Sequence, residues 1–593
     1  MSKYDNFSKN QLIKHIEEIE KQLKSNKYGL YWAKSIEGED FNKVIINSIP
    51  VFENKDTITS NNSNNNNLLL EGDNINSLSS LKILSNGIPF VDLIYIDPPY
   101  NTGNKDFIYN DKFVEVEDGY RHSKWLNFME KRLIIARDLL KEDGVIFISI
   151  DDNEQSNLEL LCNSIFGEKN KIAKFIWEKT QHFGRQKINF YSNGEYVLCY
   201  AKKITDSNGK IKELLVEKII TELEDAPLYN ASNKLNTLVF PKHSVKFNIK
   251  DGTYNSTKNN LYELISPVTI INGRNVNELI LRFKSRWSQS TIDQEFKKGT
   301  TFWVKSEGFA IRTIYHEGKS SKSSPKQIIF TNTNNPLVSI NDIGIKPGVN
   351  EEGSNDLDKI VQQNIFSYPK PVSLIKYLIS LLFNYKKELY SKDSVILDFF
   401  AGSGTTGQAV LELNQEDGGN RRFILCTNNE NNICTDVTYP RLKTVITGIR
   451  ADGTKYSEGI PANLHYFKTD FIPNNGNSDQ SKYDLVEKVN HLICISENVF
   501  NLVEQTNKYF IYSGSDGAKD VFMYIDYYDT ASFDIFKNKI ESSNATEKIV
   551  YVFSTDNTVD ERLFQGIKGI ELKPIPSKMY EIYKEIVEEI KRG

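Results

Sequence analysis

Asp97, Pro98, Pro99 and Tyr100 follow directly on the apolar run 91–96, and of all the residues in this 593-residue chain their order implies chemistry most clearly. Two prolines stiffen the backbone and carry no N–H. The Asp97 carboxylate and the Pro98 carbonyl are therefore presented as fixed acceptors, with an aromatic ring immediately behind them. Such a set suits an exocyclic amino group. Two acceptors hold its hydrogens, draw its lone pair out of ring conjugation and aim it at an electrophilic methyl, while Tyr100 stacks on the ring that bears it. The bland alternative is a strand-ending turn with a surface tyrosine, and the position of the motif after a buried strand speaks against it.

A second constellation runs through Asp398, Phe399, Phe400, Ala401, Gly402, Ser403, Gly404, Thr405 and Thr406, again between a strand-like and a helix-like run. Its glycines let backbone approach a ligand closely, and the helix start beyond supplies directed N–H groups. Gly402, Gly404 and Gly407 also satisfy the spacing of dinucleotide sites, so this turn alone leaves a nicotinamide or flavin cofactor open. The Asp97 motif tips the choice towards S-adenosylmethionine. Glu430, just after the run 423–426, is placed to receive ribose hydroxyls, with a solvated loop glutamate as the alternative. No phosphate-binding loop of an ATP motor occurs; the stretch 448–454 approaches one but lacks the lysine after its second glycine.

These residues need a scaffold of short buried strands. Three apolar runs each lead to an acidic residue: Leu68, Leu69 and Leu70 to Asp73, 91–96 to Asp97, and 145–150 to Asp151. They read as parallel strands. Between the last two, Trp125, Phe128, Arg132, Leu133, Ala136 and Leu140 share one side of a helix, with Ser123 as its candidate cap and Gly144 near its end. Strand, helix, strand is the rhythm of a doubly wound α/β sheet. The runs 172–177 and 196–200 have no convincing helix between them, which predicts antiparallel pairing at a sheet edge. Residues 205–345 are polar with short alternating runs and read as an inserted domain. The α/β rhythm resumes with a helix over 373–385, a strand over 395–400, a helix over 405–413 and a strand over 423–426, and a separate α/β segment follows 465. At the other end, Ser8 with Gln11 forms a capping box before a seam of Leu12, Ile16, Ile19 and Leu23, suited to docking on a neighbour or a second subunit. The tract 61–67 is of low complexity and reads as a loop.

The net charge of −5 conceals an uneven distribution. Residues 170–350 hold 27 Lys and Arg against 16 Asp and Glu, a net +11, which leaves −16 for the remainder. Nucleic acid is expected to meet the protein in that central stretch. The longest apolar runs fall far short of a membrane-spanning helix, and the five cysteines lie far apart; together these predict a soluble cytoplasmic protein without a zinc site. None of those cysteines follows a proline, which argues against attack on a cytosine ring carbon through a thiolate.

With these motifs in this order, the chain resembles the β-class amino-methyltransferases of DNA. It is most similar to the modification subunits of type III restriction-modification systems, on Tyr28 to Trp32, Glu71 to Asn74, Asp97 through Asn101, Thr102 and Gly103, and Cys426 to Asn431. The resemblance implies a circularly permuted Rossmann-like methyltransferase sheet with an inserted target recognition domain and an α/β C-terminal domain. It divides the chain into a docking segment (1–50), a catalytic half (51–204), a recognition domain (205–345), a cofactor half (346–464) and a C-terminal domain for a partner (465–593). It implies catalysis by Asp97, Pro98, Pro99 and Tyr100, and S-adenosylmethionine held by Asp73, Tyr368, Lys370, Asp398, Phe399, Ala401, Gly402, Gly404, Thr405, Thr406 and Glu430. Asp73 would lie on the adenine side, and the segment Phe366 to Pro371 would close over the methionine end. Thr427 and Asn428 stand where relatives often carry acidic residues, which weakens the role given to Glu430. A flipped adenine in double-stranded DNA, a homodimer and a helicase-nuclease restriction subunit complete what the likeness implies. The alternatives are a solitary enzyme and a cytosine amino group as target.

Overall fold

The structure is a computed structural model. It describes residues 40–60, 66–103, 107–109, 112–115, 118–181, 192–205, 217–220, 226–314, 320–332, 344–361, 366, 368–383, 393–474, 484–486, 488–526, 530–554, 558–575 and 579–592, with Ser8, Lys9, Leu12, Ile13, Ile16, Glu17, Trp32 and Ser339. Gln11 of the capping box, Ile19 and Leu23 of the N-terminal seam, most of the tract 61–67 and the run 28–31 lie outside the described residues.

Ten strands form the central sheet: β1 (Ser48–Ile58), β2 (Asn66–Glu71), β3 (Val91–Ile96), β4 (Leu140–Ile150), β5 (Lys171–Glu178), β6 (Gly194–Ala201), β7 (Ile328–Ile329), β8 (Val395–Asp398), β9 (Arg422–Thr427) and β10 (Asn463–Pro473). Their order across the sheet is β1-β10-β2-β9-β8-β3-β4-β6-β5-β7. From β10 to β4 every pairing is parallel. β6 runs antiparallel between β4 and β5, as the absence of a helix signal between 177 and 196 predicts.

The strands are apolar on both faces because both faces are covered. Leu68, Leu70, Ile94 and Ile96 point into a core shared with α1 (Asn74–Leu84) and α2 (Arg121–Leu139). Leu69, Leu93 and Tyr95 point the other way, into a core shared with α3 (Val372–Phe383), α4 (Thr405–Asp417) and α5 (Tyr439–Thr447). Some element boundaries differ from the sequence reading. α2 begins at Arg121, before Ser123, and has no side-chain cap; it ends at Leu139, so β4 starts five residues earlier than its apolar run. β8 stops at Asp398, since Phe399 and Phe400 already belong to the turn.

Residues 216–324 and 340–344 form a separate compact unit. Its described residues are mainly β, with one helix (Gln289–Lys297), and it has a core of its own around Phe240, Leu281, Phe283, Phe302 and Val304. Its limits are narrower than the expected 205–345, because 325–339 belong to the larger unit, where β7 pairs in parallel with β5. Lys284, Arg286 and Lys305 are exposed on the smaller unit, the last lying 4.4 Å from the Trp303 ring centroid.

Beyond 465 the chain builds a five-stranded sheet that belongs to the larger compact unit. The reason is physical: β10 is an internal strand of the central sheet, and the final helix, Met579–Arg592, packs on the same core as α1, with the Tyr583 hydroxyl donating to the Ile45 carbonyl at 2.8 Å.

Candidate active site

Four acidic residues mark the carboxyl ends of four neighbouring parallel strands. In sheet order they are Asp73 after β2, Glu430 after β9, Asp398 ending β8 and Asp97 after β3. Helices α4, after β8, and α2, after β3, cover opposite faces, so the loops between those strands part there. In open α/β sheets this is where ligands bind.

Asp97 is half-buried, and both its oxygens are engaged. The Tyr100 hydroxyl donates to Oδ1 at 2.8 Å, and the Lys370 ammonium donates to Oδ2 at 2.9 Å. Lys370 also donates to the Tyr100 hydroxyl at 2.9 Å and lies 5.1 Å from that ring's centroid. The turn is braced from behind: Trp125 Nε1 donates to the Pro99 carbonyl at 2.7 Å. Asn101, left-handed at φ 58°, donates its amide to buried Glu154 at 2.5 Å. Burial, then Asp97 and Glu195, push the Tyr100 hydroxyl well above its ordinary value, which keeps it a donor.

The glycine turn is set by conformation. Gly402 and Gly404 have φ of 50° and 80°, the left-handed region open to glycine. Gly404 is also the N-cap of α4 and offers no side-chain cap, so the first N–H groups of that helix keep their directional field at the turn. Asp398 is buried, accepting from the Phe400 N–H at 3.0 Å and from the Thr406 hydroxyl at 2.5 Å. Arg441, wholly buried, holds the turn from below through Ser403 at 3.0 Å and Thr405 at 2.9 Å. Phe399 is buried, and its carbonyl accepts from Asn74 at 2.8 Å; Ala401 donates its N–H to the Cys426 carbonyl at 3.1 Å. These bonds tie β2, β8 and β9 together at their ends.

Asp73 caps α1 through the Ile75 N–H at 3.0 Å and pairs with Arg132 at 3.0 Å. Glu430 is exposed, and Asn428 is 3.4 Å from its carboxylate. The two residues expected from the closing segment separate. Lys370 sits on the Asp97 motif, while Tyr368 is 77% exposed with φ 60°. Phe366 does reach the glycine turn, its ring 3.3 Å from where a Cβ on Gly402 would stand.

Sequence reasoning missed Glu195. It is buried on β6, within 3.2 Å of the Tyr100 hydroxyl, 3.4 Å of Lys370 and 3.1 Å of Lys179. A single carboxylate at the head of the apolar run 196–200 was the available signal. Arg132 gave a similar one: a charge on the apolar side of α2 marks a residue with buried partners.

The donors and acceptors present suit a cationic nucleoside. Carboxylates mark the ends of four neighbouring strands beside a turn where backbone lies open, and no cluster of metal-ligating side chains exists among the described residues. The fold is that of the doubly wound α/β class, with acidic residues and a glycine turn gathered at the carboxyl ends of its strands. Residues 91–438 match the DNA methylase family model, more than half of the chain, and the protein belongs to that family. It is 32% identical over 438 residues to the Mod subunit of the type III restriction-modification enzyme StyLTI of Salmonella typhimurium, covering 70% of this chain and 59% of that protein. The EcoPI Mod subunit of Escherichia phage P1 is 31% identical over 473 residues, 72% of this chain and 67% of its own length. The type II methyltransferase M.KpnI of Klebsiella pneumoniae is 28% identical over 415 residues, 68% and 90% of the two chains. The chain thus spans about three fifths of the StyLTI Mod subunit and two thirds of the EcoPI Mod subunit.

Proposed function

We propose that this protein transfers a methyl group from S-adenosylmethionine to the 6-amino group of an adenine flipped out of duplex DNA, as the modification subunit of a type III restriction-modification system. The observation that carries the chemistry is the order of acids along the sheet, with the cofactor-type turn at β8 next to the Asp97 turn at β3. S-adenosylmethionine supplies an activated methyl. Asp73 would lie on its adenine side, Glu430 would receive its ribose hydroxyls, Asp398 would balance its positive charge, and the backbone at Gly402 and Gly404 would let it lie close. Asp97 and the Pro98 carbonyl would hold the amino hydrogens, and Tyr100 would stack on the base. Unpairing a base costs a few kcal/mol, which phosphate contacts from exposed Lys284, Arg286 and Lys305 help to offset.

A restriction subunit as partner rests on the likeness to Mod subunits of type III restriction-modification enzymes, and we propose a homodimer as the assembled form. A cytoplasmic setting accords with five free cysteines, all buried, and with the lack of any described helix long and apolar enough to cross a membrane. Transfer of labelled methyl to DNA tests the reading. Asp97→Ala is expected to lower it by about a hundredfold or more, the scale of a lost transition-state contact, with cofactor affinity within a few-fold of the parent. Transfer near the parental rate would refute the role of Asp97.

A further inference from the structure

Both oxygens of Asp97 already have donors, one from Tyr100 and one from Lys370. An amino group can use this carboxylate only if a donor gives way, and a buried ammonium that gives way needs another acceptor at once. Glu195 stands where that acceptor is needed. The Lys370 ammonium is 2.9 Å from Asp97 and 3.4 Å from Glu195, a difference of 0.5 Å. The Tyr100 hydroxyl is 2.8 Å from Asp97 and 3.2 Å from the same Glu195 oxygen, a difference of 0.4 Å. Each donor can therefore change carboxylates by a shift far smaller than a rotamer change. The second Glu195 oxygen is anchored by Lys179 at 3.1 Å, so the glutamate itself stays in place.

We infer that Glu195 is a positioning residue: it takes over the Lys370 ammonium and the Tyr100 hydroxyl as the base arrives, and so frees Asp97 for the amino group without touching the base. This inference rests on the methyl-transfer reading. Burial alone would raise the Glu195 carboxyl, but Lys370, Lys179 and the Tyr100 hydroxyl bring it below its ordinary value, so it is a full anion at neutral pH. Lys370 is likewise held above its ordinary value: burial opposes its charge, and Asp97 and Glu195 outweigh that. Two carboxylates sharing one lysine can pass it between them with no proton transferred.

A glutamate that merely supported the fold would lower every property together, whereas the exchange makes Lys370 a competitor for Asp97 once Glu195 is neutral. The test compares full-length parental protein, Glu195→Gln, Glu195→Asp, and Glu195→Gln combined with Lys370→Met. Single-turnover transfer from labelled S-adenosylmethionine is measured on DNA from a host lacking this enzyme, and calorimetry gives the cofactor affinity. Glu195→Gln is expected to slow transfer by about tenfold or more, the effect of about one uncompensated hydrogen bond to a charge, with cofactor affinity unchanged. Glu195→Asp should recover part of the rate, and adding Lys370→Met to Glu195→Gln should speed it rather than slow it further. Losses that simply accumulate in the double variant, a parental rate in Glu195→Gln, or a matching loss of cofactor affinity would overturn the inference. Absence of transfer by the parental protein would instead strike the methyl-transfer reading, and the inference with it.

Discussion

Burial pushes the Asp398 carboxyl up to about 7; the Thr406 hydroxyl and the Phe400 N–H offset part of that, and Asp97 adds to it. Raised above its unfolded value of 3.8, this group favours the folded protein fully at acid pH, and the contribution is lost as pH rises towards about 7. Binding of a cation reverses the preference, because a positive ligand selects the ionised carboxylate. Affinity for S-adenosylmethionine should therefore rise about tenfold from roughly pH 6 to pH 8 through this group, and the rise should be missing in Asp398→Asn. Calorimetric titration of both proteins across that range isolates the carboxyl from the cofactor's own titration; parallel pH profiles would contradict the assignment. At this scale the sequence was legible where a motif carries its own geometry, as in Asp97 to Tyr100 and Gly402 to Thr406. It was not legible where partners come from distant strands: Glu195 lies 95 positions from Tyr100 and Lys370 lies 273 from Asp97. A charge beside an apolar run marks a residue with buried partners but does not say which partners they are.

The turn between β8 and α4 owes its shape to two left-handed glycines, and α4 ends on a third, Gly418, at φ 67°. Near a Cβ on Gly404 would stand Thr438, at 3.1 Å, whereas a Cβ on Gly418 would meet nothing within 4 Å. Each substitution imposes a similar left-handed strain of about 1–2 kcal/mol. Gly404→Ala and Gly418→Ala should thus lower the melting temperature comparably, while only Gly404→Ala weakens cofactor binding, by tenfold or more on the same energy scale. Equal affinities in the two folded variants would remove this turn from the cofactor site. Buried parallel strands were readable because their apolar runs are continuous, as in 91–96 and 145–150. β1 and β10 were not, since half of β1 is exposed and its partner lies beyond 460: Ser48 pairs with Pro473 and Ile58 with Leu464. Pairing over such separations leaves no mark on local periodicity.

Across the whole molecule, the methyltransferase sheet is completed from both sides of the inserted unit, and β10, at the start of the C-terminal segment, is one of its strands. Met579–Arg592 covers α1, and Lys82 near the end of that helix pairs with Glu589 at 3.4 Å. The residues expected to form a partner-binding domain therefore also close the core, where Met579, Ile582, Tyr583 and Ile586 are buried in the same cluster as Leu78 and Ile45. The inserted unit, by contrast, has its own core and concentrates exposed basic residues, the division of labour expected when recognition and chemistry are separately built. Together these parts are expected to place a methyl on adenine in DNA. Sequencing of modified bases in DNA from cells expressing the full chain, beside cells expressing Asp97→Ala, tests it most directly. N6-methyladenine at one short sequence, present with the parental chain and absent with the variant, is the predicted result. Unmodified adenine in both, or a modification confined to cytosine, would contradict it.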